Sequence, residues 1–280
     1  MPTRASRVPV PRFAQERQRA IEDQLKEAGR VEVAALAVAY NVSEDSIRRD
    51  LQALAAKGLV QKTHGGAIAL QPGALSMGQR LEVRADAKDA IASAAAAHVE
   101  SSQSLFIDSG STALAFARAL CVPGAPRPLA VFTASLDVAL LLSAQAHVAL
   151  RVAGGEWSPG TRALLGDVAV DEARRWRADW AFIGACAVHR RLGLSASDAR
   201  DALLKRAMLE GSAQRVLMCD STKFDMIQPH AVAGLDQIDH VISDFAPKWL
   251  RDAVTVEKVH GGPRRPQPND PSSSSIRRPT

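Results

Sequence analysis

The sequence predicts an α/β chain in two parts, a small helical unit closed by a hairpin and a larger layered α/β domain. Three observations carry this. The 280 residues exceed what one small core usually holds. Between Gln15 and Leu70, helical periodicity gives way to two short strands around paired glycines. From about Asp86 onward, helical patterns alternate with short apolar strands, which is the mark of an α/β layer. The expected divisions are a basic arm over 1–14, the helical unit over 15–70, a linker over 71–85, the larger domain over 86–258 and a tail over 259–280.

Composition narrows the partners. With 35 Lys and Arg against 30 Asp and Glu, the formal charge of +5 permits a polyanionic partner without requiring one. No N-terminal segment joins a basic start to a long apolar run, and the most apolar region, Leu129 to Leu150, is interrupted by Asp137, Gln145 and His147. A cytoplasmic protein with no membrane partner is expected. Cys121, Cys186 and Cys219 are odd in number and lack C-x-x-C spacing, so they read as reduced thiols. Neither a metal nor a cofactor is expected.

The first dozen residues, M-P-T-R-A-S-R-V-P-V-P-R, hold three prolines and no periodicity, and the tail from Gly261 is rich in Pro and Ser. Ile21 and Leu25 mark one face of a helix over Arg17 to Ala28, stopped by Gly29. A second helix, Val33 to Tyr40, is followed by a turn at Asn41-Val42. Ser43 then reads as the N-cap of a third helix, with Glu44 and Asp45 in its first turn and Gly58 beyond its end at about Lys57.

At 100° per residue, Ile47, Leu51 and Leu54 share the inward face of this third helix, so Asp45, Arg48, Arg49 and Gln52 point outward. A helix, a short turn and a second helix bearing outward arginines near its start fit a helix-turn-helix, whose second helix enters the major groove of DNA. Spacing alone equally allows a solvated charged face in which Asp45 pairs with Arg49. The stretch Leu59 to Leu70 then reads as two strands around a Gly65-Gly66 turn, a wing that sets Lys62, Thr63 and His64 beside a DNA backbone.

In the larger domain, Ser104–Ile107 reads as a buried strand running into Asp108-Ser109-Gly110-Ser111-Thr112 and a helix over Ala113–Leu120. Free N–H groups, the positive helix end and hydroxyls converge there, which suits an anion; the loop lacks the Lys of a nucleotide P-loop, and simple N-capping is the alternative. Two further strand ends lead to Thr133-Ala134-Ser135 and Ala153-Gly154-Gly155, and a later strand, Val216–Cys219, leads to Asp220-Ser221-Thr222-Lys223. Strand ends of an open sheet share one edge, so these loops are expected to rim one crevice. The candidate ligand-binding residues are Asp108, Ser109, Gly110, Ser111, Thr112, Thr133, Ser135, Gly154, Gly155, Asp220 and Lys223. An anionic, hydroxylated ligand such as a sugar phosphate suits them.

The string V-S-E-D-S-I-R-R-D-L-Q-A-L-A-A-K-G-L-V-Q-K-T-H-G-G-A resembles the signature of DeoR-type bacterial transcriptional regulators. D-S-G-S-T, T-A-S, A-G-G-E, D-W-A-F-I-G-A, D-A-L-L-K-R-A-M and D-S-T-K-F extend the resemblance in family order over about Gln15 to Ala253. It implies a winged helix-turn-helix joined to a sensor domain that is similar in fold to ribose-phosphate isomerases. It also implies a repressor of a carbohydrate operon, double-stranded operator DNA and a sugar-phosphate effector as partners, and self-association as a dimer or tetramer. Ser43, Ser46, Arg48, Arg49, Gln52, Lys62 and His64 would face DNA. No residue is assigned a catalytic role; a sugar-phosphate isomerase carrying an accessory DNA-binding unit is the alternative. Ser46 stands where many members have Thr, Ala134 where the family usually has Asn, and Asp201 where it usually has Glu.

Overall fold

A computed structural model describes residues 13–28, 30–56, 60–69 and 76–260. Most of the expected arm and tail, and the helix stops at Gly29 and Gly58, lie outside these described residues.

The N-terminal unit is built from α1 (Ala14–Ala28), β1 (Arg30–Glu32), α2 (Val33–Tyr40), α3 (Glu44–Ala56), β2 (Val60–Thr63) and β3 (Gly66–Ala69). Asn41 ends α2 in the left-handed conformation, φ 52°, which an Asn tolerates better than most residues. Ile21, Leu25, Leu36, Tyr40, Ile47, Leu51, Leu54 and Val60 close one core. Each large apolar side chain removed from water contributes roughly 1.5 to 3 kcal/mol.

Two features were not anticipated. A third strand, β1, pairs antiparallel with β3, so the wing is a three-stranded sheet in the order β1-β3-β2. The hairpin turn is His64-Gly65, because Thr63 pairs with Gly66. Gly66 belongs to β3 and faces β1, where an added Cβ would lie 1.9 Å from the Val31 carbonyl oxygen. The close strand approach, not the turn, requires that glycine.

The expected linker is partly helical: α4 (Met77–Glu82) occupies its second half, capped by a reciprocal Ser76–Gln79 box. Then come α5 (Ala85–Ala97), β4 (Ser104–Ile107), α6 (Ser111–Ala119), β5 (Leu129–Thr133), α7 (Leu136–Ser143), β6 (Val148–Val152), β7 (Glu156–Ser158), β8 (Ala163–Leu165), α8 (Asp167–Arg174) and β9 (Ala178–Gly184). The chain continues through β10 (Ala187–His189), β11 (Gly193–Ala196), α9 (Ala199–Glu210), β12 (Ser212–Met218), β13 (His230–Ala233), β14 (His240–Ser243), α10 (Lys248–Arg251) and β15 (Thr255–Lys258).

Seven of these strands form one parallel sheet in the order β15-β14-β12-β9-β4-β5-β6. The period of two along each strand sorts its side chains between two cores. Leu105, Ile107, Phe182, Val216 and Met218 pack with α5, α6 and α7, whereas Phe106, Ala181, Ile183 and Leu217 pack with α8, α9 and α10. Burial on both faces explains why the strands read as unbroken apolar runs.

The strand order fixes where a ligand can sit. From β4 the chain moves outward to β5 and β6, while from β9 it moves the opposite way to β12, β14 and β15. The loops leaving adjacent β4 and β9 therefore diverge, and a crevice opens between them at the carboxyl edge of the sheet.

Candidate functional site

A cavity of about 80 Å³ occupies that crevice. The β4–α6 loop supplies Asp108, Ser109 and Gly110, the first turn of α6 supplies Ser111 and Thr112, and the end of β9 with the loop after it supplies Gly184, Ala185 and Cys186. Asp201 and Lys205 come from α9, Lys223 from the turn after β12, Thr161 from the tip between β7 and β8, Arg80 from α4, and Val83 and Lys88 from the entry to and body of α5.

At its floor, Lys205 Nζ lies 2.5 Å from Asp108 Oδ2 and 3.2 Å from Asp201 Oδ1, and Asp108 Oδ2 also accepts from the Gly184 N–H at 2.8 Å. All three side chains are buried. Burial disfavours the Lys205 ammonium, but the flanking carboxylates outweigh it and hold its pKa above the ordinary lysine range. Burial pushes the Asp201 carboxyl up, with Lys205 opposing.

Above this floor stands the positive end of α6. Gly110 caps it at φ 99° and ψ 177°, a conformation open essentially to glycine. The first N–H groups of the helix have no intrahelical acceptor, and Ser111 and Thr112 of this first turn line the cavity.

Lys88 is 5% exposed, and burial lowers its pKa to about 8 against the pull of Asp220. Its Nζ donates to the main-chain carbonyls of Arg80 and Val83. In all, four cations, Arg80, Lys88, Lys205 and Lys223, line the cavity with two carboxylates, Asp108 and Asp201, and Asp220 interacts with Lys88 and Lys223 from outside the lining. The excess of cations suits a dianion, and the carboxylates suit hydroxyls.

Five candidate ligand residues do not line the cavity. Thr133 and Ser135 are buried and serve α7: Thr133 Oγ1 accepts from the Ser135 N–H, and Ser135 Oγ caps the helix by accepting from the Val138 N–H. The Gly154 N–H donates to Glu172, and Gly155, at φ 127°, packs on the Leu165 carbonyl. Since β5 and β6 lie on the far side of β4 from β9, their loops fall outside the switch point. Asp220 is 1% exposed and caps the turn that carries Lys223 by accepting from the Thr222 N–H. Ala134 is buried in the core, so the missing amide there alters packing, not the cavity wall.

Arg80, Lys88, Thr161, Cys186, Asp201 and Lys205 were missed as site residues. Asp201 and Lys205 had a legible signal, an i, i+4 acid–base pair within an otherwise apolar helix face. Arg80 and Thr161 had none, because chain topology alone brings them in.

In the N-terminal unit, Ser43, Arg48, Arg49, Gln52, Lys62 and His64 are exposed and Ser46 is half-buried. Ser43 caps α3, its Oγ accepting from the Ser46 N–H. Arg48 pairs with Glu44 at 2.8 Å; among the described residues Arg49 has no hydrogen bond or ion pair, so the Asp45–Arg49 pairing is not formed. Lys62 Nζ donates to Gln52 Oε1 at 2.6 Å, tying the wing to the arginine-bearing face. The adjacent Asp50 turns inward and binds Arg17 at 2.5 Å and Gln18 at 3.1 Å, fastening α3 to α1.

The family profile of the DeoR C terminal sensor domain matches residues 83–245, and that of the DeoR-like helix-turn-helix domain matches residues 17–72. The chain belongs to the DeoR family. Similar relatives include the HTH-type transcriptional regulator GolR of Listeria innocua, 30% identical over 83% of this chain and 91% of its own. The glycerol-3-phosphate regulon repressor of Escherichia coli is 29% identical over the same shares. The HTH-type transcriptional repressor GlcR of Bacillus subtilis is 27% identical over 84% of this chain and 90% of its own. Among solved structures, ribose 5-phosphate isomerase A from Neisseria gonorrhoeae is similar with a TM-score of 0.34 at 18% identity, covering 50% of this chain and 53% of that one. As a DeoR-family member this chain is a DNA-binding transcriptional regulator. Among the described residues no helix is long and apolar enough to cross a membrane.

Proposed function

We propose that this chain is a cytoplasmic repressor of a carbohydrate operon that releases its operator when a small phosphorylated sugar or polyol enters the cavity at the switch point. The observation that carries the reading is the pairing of an excess of buried and half-buried cations with the positive end of α6 in a chain that also carries a helix-turn-helix. The phosphate sits against the α6 N–H groups, Ser111, Thr112 and Lys223, while Asp108 and Asp201 accept from hydroxyls. A relative that is a glycerol-3-phosphate regulon repressor agrees with that ligand class.

On the DNA side, Arg48 and Arg49 reach the major groove from α3, with Ser43, Ser46 and Gln52 beside them and Lys62 and His64 on the flanking backbone. Two such helices are needed for a two-fold operator, so the active species is a dimer or tetramer. The effector favours the arrangement that does not bind DNA, which is all that release requires.

Binding without turnover is favoured by one observation. Asp108 Oδ2 and Asp201 Oδ1 are both held by Lys205, and Asp108 Oδ2 also by the Gly184 N–H, so each carboxylate keeps one oxygen for a ligand hydroxyl while the buried ammonium already balances its charge. The test is isothermal titration of the full chain with phosphorylated and unphosphorylated sugars and polyols, followed by prolonged incubation. Binding confined to phosphorylated compounds that are recovered unchanged supports the reading; conversion of any of them would replace sensing by catalysis.

A further inference from the structure

The segment that leads out of the DNA-binding unit forms part of the cavity wall. Only residues 70–75 separate β3 from Ser76, and α4 follows at once. Of its six residues α4 buries Met77 alone, so its seat on the sensor domain depends on polar contacts. Arg80 Nη2 donates to the Gly160 carbonyl at the β7–β8 tip at 2.7 Å. Lys88 holds the other end of α4, donating to the carbonyls of Arg80 and Val83.

These contacts leave binding capacity unused. Among the described residues Arg80 Nε is buried with no hydrogen-bond partner, and so is Thr161 Oγ1 from the same β7–β8 tip. An ammonium has three donors, and two of those on Lys88 are taken by carbonyls. Buried unpaired donors are costly and mark a place where a partner belongs. Both cations and Thr161 line the cavity, so the partner that satisfies them together is an anion with several acceptor oxygens.

We propose that Arg80 binds the effector anion from the connecting segment itself, so that filling the cavity and seating α4 on the sensor domain are one equilibrium. The proposal rests on the cavity being the effector site. The anion takes the free donors of Arg80 and Lys88, and Lys88 in turn grips the carboxyl end of α4 through the Arg80 and Val83 carbonyls. Seated α4 presents the guanidinium that completes the site. Linkage makes the effect reciprocal: whatever draws α4 off the sensor domain, including the geometry demanded by operator DNA, weakens effector binding by the same factor.

Hydrogen exchange on the full chain, with glycerol 3-phosphate and inorganic phosphate as probes, tests this alongside calorimetry and operator binding. In the unaltered protein a probe should slow exchange in 77–84 and in 108–114 at the same concentration. Arg80→Gln should weaken probe binding by about tenfold or more and abolish the protection of 77–84 even when the cavity is saturated. Arg80→Lys, which keeps the charge, should recover part of the binding. Protection of 108–114 without 77–84, or an Arg80→Gln variant that binds the probe and releases DNA normally, would overturn the coupling while leaving the cavity as the effector site. Absence of any protection at 108–114 would remove the effector site, and the proposal with it.

Discussion

Lys88 sets an observable pH dependence. Its pKa of about 8 lies below the ordinary value of 10.5, so between those values the unfolded chain binds more protons and the stability of the sensor domain rises with pH. Anion binding has the opposite sign, because it needs the ammonium. Effector affinity should hold below pH 8 and weaken above it, approaching about tenfold per pH unit, and Lys88→Arg should flatten the curve; a flat profile in the unaltered protein would take Lys88 out of the site. The other charges facing Lys88 are Asp220, Lys223, Arg80 and Arg84, and the effector phosphate is already fully ionised at that pH. Asp108→Ala breaks a buried ion pair and should lower stability by about 3 to 5 kcal/mol, read from denaturant unfolding. Asp108→Asn keeps the shape and should spare operator binding while abolishing the response to effector; a normal response would place the effector elsewhere. Such residues differ in how visible they are in sequence. Asp108 stands out beside a hydroxyl-rich loop at a strand end, whereas Lys88 sits in an alanine-rich helix that nothing local marks as a site.

Among the elements, α3 and the wing were legible because apolar spacing decides which face is buried. Ile47, Leu51 and Leu54 are indeed fully buried, and Arg48 and Arg49 are exposed. What spacing could not give was partner choice: Glu44 pairs with Arg48, leaving Arg49 without an ion pair among the described residues. Arg49→Ala should therefore cost roughly 1 to 3 kcal/mol in specific operator binding with no loss of folding stability, and unchanged affinity would remove α3 from the interface. The third wing strand, β1, was illegible because three residues carry too little pattern; it shows itself through Gly66. Gly66→Ala forces a Cβ into the Val31 carbonyl and should break the β1–β3 pairing, lowering operator affinity while calorimetric effector binding is retained. Retained operator binding would mean the wing is not needed for docking. The β5 and β6 loops show the opposite failure: composition made Thr133, Ser135, Gly154 and Gly155 look like ligand residues, but strand order sends them away from the crevice, where Ser135 caps α7, Thr133 accepts from the Ser135 N–H and the Gly154 N–H binds Glu172.

At the scale of the whole chain, the function comes from joining two ordinary devices. The helix-turn-helix supplies an outward arginine pair, and the switch point of a parallel sheet supplies a cation-rich cavity, one side of which is lined from α4, the element that follows the wing in the chain. The two-part architecture could be read from the shift in periodicity near Asp86, but that the intervening segment belongs to the cavity could not, because contact between distant segments is not written in local pattern. The most direct measurement is fluorescence anisotropy of labelled DNA from upstream of the protein's own gene, titrated with protein at fixed salt, with and without phosphorylated sugars and polyols and their unphosphorylated counterparts. The account predicts sequence-specific binding that one phosphorylated compound releases and its unphosphorylated form does not. Operator affinity left unchanged by a phosphorylated compound that calorimetry shows to be bound in the cavity would contradict it.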